Sequence, residues 1–138
     1  MAIRTLSMGI KMYQLKKILL ERLFELASTQ YQMKYIDNTT TDGYTWGEEL
    51  VNEIVNPLEL TQRPENKHLF DCNELLAIKE YKNKLDIICK NNNIDTDLYD
   101  EPKIWNKIVR NSIILLKSLG YSLNDFDEDG NLIVGEKN

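Results

Sequence analysis

The sequence predicts an all-α protein, a single compact bundle of about four helices closed by a short C-terminal β-hairpin. Three observations predict it. Apolar residues recur at three- and four-residue steps over four separate stretches, capping residues and terminators fall at the ends of those stretches, and polar segments rich in turn residues lie between them.

The first stretch runs from about Gly9 to Ile36, with Ile10, Tyr13, Leu20, Phe24, Ala27 and Tyr31 in register and Leu19, Leu23 and Leu26 widening the stripe. Residues 1–8 precede it as a leader free to be disordered. "DNTTTDG", residues 37–43, is a polar break. Thr45 and Glu48 then have the spacing of a capping box, and Trp46, Leu50, Ile54 and Leu58 follow at four-residue intervals. Pro57 should end this second helix near Asn56, because the residue before a proline is pushed out of helical geometry. "LTQRPENKH" reads as a loop.

Asp71 and Glu74 form a second candidate cap, Leu75, Ile78, Leu85 and Ile88 make the apolar face of a third helix, and the Asn91–Asn93 run should close it. "IDTDLYDEP" is an acidic linker. Pro102 suits the first turn of a fourth helix, where its missing N–H costs nothing. The stripe of Ile104 or Trp105, Ile108, Ser112, Leu115 and Leu119 ends at Gly120, a natural left-handed terminator. Beyond it, Asp129-Gly130 is a two-residue hairpin signal that would pair Glu128 with Asn131 and set Phe126 opposite Ile133.

The chain has 138 residues, 42% hydrophobic and 28% charged, in the range of one globular domain. No stretch approaches the roughly 18 apolar residues of a spanning helix, and Arg4, Lys11, Lys16 and Lys17 interrupt any signal-peptide core, so the expectation is a cytoplasmic protein without membrane contact. Cys72 and Cys89, placed on one helix, would stand roughly 25 Å apart and stay reduced.

The catalytic inventory is thin. There is one histidine, His68, and neither a phosphate loop, a dinucleotide fingerprint nor a nucleophile elbow. His68, Cys72 and Cys89 lack a fourth zinc ligand and any close cysteine pair, while Glu48 with Glu49 and Asp95 with Asp97 read as a helix cap and a solvated linker. We therefore expect neither an enzyme nor a cofactor. "DFDEDGNLIVGE" satisfies the EF-hand formula through Asp125, Asp127, Asp129, Gly130, Asn131 and Glu136, but it has no exit helix, so no metal is expected and a calcium-binding module is only an alternative.

Net charge is −5, unevenly laid out. Residues 1–34 hold six basic against two acidic residues, leaving eleven basic against twenty acidic in the rest. An acidic body repels phosphate backbones and attracts basic surfaces. The expected function is an acidic protein-binding inhibitor of immunity or antitoxin type that neutralises a cationic partner, such as a nuclease toxin. Its contact residues are read as Asp95, Asp97, Tyr99, Asp100 and Glu101, with Asp125, Asp127, Glu128 and Asp129 as a second patch. Trp46 and Trp105 are assigned to the core; Tyr44 and Tyr99, beside carboxylates, suit an interface. A phage or plasmid accessory protein touching nucleic acid through Lys11, Lys16, Lys17 and Arg22 is the other alternative, disfavoured because Glu21 and Glu25 interrupt that patch. Oligomeric state is not encoded in these signals.

Overall fold

The structure, a computed structural model, describes residues 2–38, 40, 43–91 and 97–134, with side chains from Gln14 onward. The four expected helices are present as α1 (Ala2–Ala27), α3 (Gly47–Thr61), α4 (Cys72–Asn91) and α5 (Pro102–Ser118), with a short α2 (Thr29–Gln32) after the first. Helix α1 carries so broad an apolar surface that it packs against both α3 and α5, while α4 closes over α5 and α3. Leu19, Leu23, Leu26, Ile54, Leu58, Ile78 and Ile108 form the centre of the core.

Three helix boundaries differ from the sequence reading. Helix α1 begins at Ala2, ahead of Gly9, and stops at Ala27 rather than continuing to Ile36. Ser28 takes an extended conformation and its Oγ accepts from the Tyr31 amide, the local competition by which serine ends one helix and caps the next. The break would orphan the Glu25 carbonyl, which an unbroken helix would bond to the Thr29 amide. Gln32 Nε2 donates to it instead (2.9 Å), while Gln32 Oε1 accepts from Trp105 Nε1 on α5 (2.9 Å). After α2 the chain widens into a π-helical turn, Met33–Asp37.

Helix α3 runs through Pro57 to Thr61. Proline removes one backbone bond, but buried Leu58 and Thr61 anchor the last turn, where Thr61 Oγ1 donates to the Leu58 carbonyl (2.7 Å). The Thr45–Glu48 capping box does not form: Trp46 is the N-cap and Thr45 Oγ1 donates to Glu49 (2.7 Å).

Elsewhere local signals hold. Asp71 and Glu74 cap α4 reciprocally at 2.8 and 2.9 Å, and Pro102 opens α5. Gly120 (φ +88°) ends α5 in a Schellman motif, with Tyr121 N–H bonded to the Leu116 carbonyl (2.9 Å) and Gly120 N–H to that of Lys117 (2.9 Å).

The expected C-terminal hairpin is not formed. The described residues contain no strand there, only an isolated antiparallel bridge from Phe126 to Leu132, not Ile133. Asp127 N–H bonds to the Asn131 carbonyl, and Gly130 N–H to that of Asp127. Gly130 (φ +86°) thus supplies the left-handed residue of a three-residue loop rather than the centre of a two-residue turn. A Cβ on Gly130 would lie 3.4 Å from Phe24 and Tyr31. Gly130→Ala should therefore lower stability by about 1–2 kcal/mol in urea unfolding; an unchanged midpoint would contradict this loop geometry.

Candidate partner-binding site

The first predicted acidic segment folds around Asp97. Its carboxylate accepts from the Gly47 amide (2.9 Å) and the Glu48 amide (2.8 Å), capping α3 from across the chain, and from the Tyr99 amide (3.2 Å), capping the 3-10 turn Leu98–Asp100. Asp97 is thus not merely a solvated linker residue: it docks its segment onto the start of α3. Gly47 makes the approach possible, since a Cβ there would lie 2.5 Å from Tyr99 Cβ.

Tyr99 joins this corner to two other elements. Its ring meets Trp105 edge-on, with centroids 5.2 Å apart, and its hydroxyl donates to Asp37 in the π-helical turn (2.8 Å). Burial, the bond to Asp37 and the nearby charges of Asp37, Asp100 and Asp97 push the phenol up to about 12. Burial is the largest of these causes, to which the carboxylates of Asp37, Asp97 and Asp100 add around the ring. Asp100 and Glu101 are exposed beside it, Glu48 is exposed at the start of α3, and no ion pair engages Asp37, Glu48, Asp97, Asp100 or Glu101 among the described residues. Asp95 lies outside the described residues.

Trp46 corrects the assignment made for it. Trp105 is a core residue, but Trp46 is 54% exposed, its ring edge-on to Tyr44 at 5.5 Å. As the N-cap it stands just before the helix turns into the core. An exposed tryptophan therefore stands immediately before the Asp97-capped start of α3.

The second acidic segment is differently employed. Asp125 accepts from the Ser122 amide (2.9 Å) in a capping box. Asp127 takes the amides of Asp129 and Asn131 (both 2.9 Å) and the Asn131 side chain (3.1 Å), which hold its carboxyl below the usual range. Asp129 is bonded by Lys34 Nζ (2.7 Å) and by the Tyr35 hydroxyl, which lower its pKa likewise. Glu128 alone projects, 83% exposed and 3.6 Å from Lys34 Nζ. The three aspartates of the calcium formula thus turn to separate local donors, and among the described residues no group of three or more acidic, His or Cys side chains is placed to hold a metal ion; Glu136 lies outside them. Both acidic segments flank the Met33–Asp37 turn, one bonded to Asp37 and the other to Lys34 and Tyr35.

No family model, curated protein or solved structure matches the chain. The functional reading rests on the chemistry of this surface.

Among the described side chains of the basic leader, Lys16 and Arg22 are engaged and Lys17 is half-buried. Lys16 is 7% exposed, its ammonium 5.6 Å from the Phe70 ring centroid, and Arg22 bridges Glu25 (3.3 Å) and Glu53 (3.2 Å). Lys11 lies outside the described side chains. Cys72 and Cys89 are both free thiols at the surface of α4, and His68 is exposed in the turn before it. No helix among the described residues is long and apolar enough to cross a membrane.

Sequence reasoning missed Asp37, Glu48 and the exposure of Trp46. Asp37 was read only as turn punctuation. A usable signal existed in Thr45-Trp46-Gly47, since a glycine just inside a helix start leaves room for another segment to approach.

Proposed function

We propose that the chain is a non-catalytic protein-binding inhibitor of immunity or antitoxin type, acting on a cationic partner such as a nuclease whose active site holds phosphate. The observation that carries this reading is the exposed Trp46, edge-on to Tyr44, together with the exposed carboxylates of Asp37, Asp100 and Glu101, which no ion pair engages among the described residues. Interfaces draw affinity from a buried aromatic anchor and association rate from complementary charge. Trp46 supplies the anchor. The carboxylates occupy the place of substrate phosphates and steer the partner in, because exposed charges act over about 10 Å at moderate salt.

Asp100 and Glu101 are exposed and make no side-chain hydrogen bond among the described residues, so their reversal should spare the fold. With the stoichiometric partner isolated from the native cells, Asp100→Lys with Glu101→Lys is expected to slow association about tenfold and flatten its salt dependence. Trp46→Ala should chiefly accelerate dissociation, by a factor on the order of 30. Failure to isolate a stoichiometric basic partner, or association unchanged by the double reversal, would overturn the proposal.

A further inference from the structure

A cleft of about 560 Å³ opens between the α1–α2 junction and the C-terminal loop, within the usual volume of a side-chain or small-ligand site. Its lining includes Phe24, Tyr31 and Phe126, which pack on one another and, through Tyr31, on Tyr35. Its rim carries Thr29, Gln30 and Asn124, exposed residues whose side chains make no hydrogen bond among the described residues.

The charge balance of this rim is decided by which groups are already engaged. Lys34 lines the cleft, but its ammonium is held by Asp129 at 2.7 Å and lies over the Tyr35 ring at 5.2 Å. Asp127 also lines it, with its oxygens occupied by three N–H donors. Glu128 shares the Lys34 ammonium at the longer distance of 3.6 Å and is 83% exposed, so the carboxylates here outnumber the one cation. The cleft thus offers an excess of negative charge, most exposed at Glu128, and several neutral acceptors beside aromatic rings.

From this we infer that the cleft receives an arginine side chain of the partner, its methylene stem along the aromatic lining and its guanidinium on Glu128. A guanidinium carries five N–H donors and no acceptor, on a stem that lies well against apolar surface. An anionic ligand would meet Glu128 without a free cation to offset it. The inference rests on the reading of the partner as cationic, and it adds a second anchoring point to that of Trp46.

The test needs no partner. The full chain, isotopically labelled, is titrated at low salt with N-acetyl-argininamide (argininamide below) and, separately, with N-acetyl-citrullinamide, whose side chain has nearly the same shape but no charge. Argininamide is expected to shift the backbone amides of Gln30, Asn124 and Glu128 with saturation at millimolar concentration. Glu128→Gln should weaken it roughly two- to fivefold, as for an exposed ion pair, without moving the melting temperature. Equal shifts with citrullinamide, argininamide shifts confined to the Asp37–Asp100 surface, or none at tens of millimolar would each overturn the inference. Argininamide bound in the cleft while the partner ignores the Asp100 and Glu101 reversals would instead sink the proposed function and leave the cleft standing.

Discussion

Gly47→Ala is expected to destabilise the protein by roughly 2–4 kcal/mol in urea unfolding, far more than an alanine normally costs near a helix start. The added methyl would lie 2.5 Å from Tyr99 Cβ, 3.0 Å from Asp97 Oδ1 and 3.3 Å from the Trp105 ring. None of these neighbours is the free end of a flexible side chain. The Leu98–Asp100 turn must lift away, and with it go the Asp97 cap on α3 and the Tyr99–Asp37 bond. Asp97→Asn, which keeps the shape but weakens acceptance at two amides, should cost about 1 kcal/mol. Partner association should suffer in Gly47→Ala too, because the same displacement separates the carboxylates from Trp46. Wild-type stability in Gly47→Ala would show that residues 97–99 do not seat on α3.

Glu25→Gln should stabilise the protein above neutrality and change it little in acid. Glu25 is 6% exposed on α1; its Oε2 contacts Arg22 (3.3 Å) and accepts from the Tyr31 hydroxyl (3.2 Å), while Oε1 has no hydrogen-bond partner. Burial outweighs the attraction of Arg22, and with repulsion from Glu53 and Glu21 it pushes the carboxyl from 4.5 up to about 7. The folded chain therefore binds this proton more tightly than the unfolded chain. The stabilisation is whole below about pH 4.5 and is lost as pH rises through 7. At about 1.36 kcal/mol per pKa unit the loss comes to roughly 3–3.5 kcal/mol by pH 8, which is the upper limit of what a permanently neutral glutamine restores. Urea unfolding at pH 8 and pH 5 checks this. An equal effect of the substitution at both pH values would mean that Glu25 does not titrate in this range.

Parts of the fold legible in the residues share one property: their physics closes within a turn or two of chain. Asp71 with Glu74, Pro102 at a helix start, Gly120 at a helix end and the apolar spacing of α3, α4 and α5 each engage neighbours at most five residues away. At α3 the local signals are outbid by distant partners, whereas at Ser28 and in the C-terminal loop another local bond wins. Thr45 and Glu48 look like a cap, but Asp97 takes the Gly47 and Glu48 amides from 50 and 49 residues away. Pro57 should stop a helix, yet burial of Leu58 carries the turn onward.

The candidate site shows the same division. Its acidity and its tyrosines were readable in the composition and spacing, because charge and residue type do not depend on how the chain folds. Which carboxylates remain available did depend on it. Asp127 and Asp129 are consumed by nearby amides and by Lys34, Glu128 is left projecting, and Trp46 faces outward because the Asp97 segment covers Gly47 beside it. A helix face can be counted along one strand of residues; the meeting of two helix ends depends on contacts such as Gln32 with Trp105, 73 residues apart, that no local period encodes.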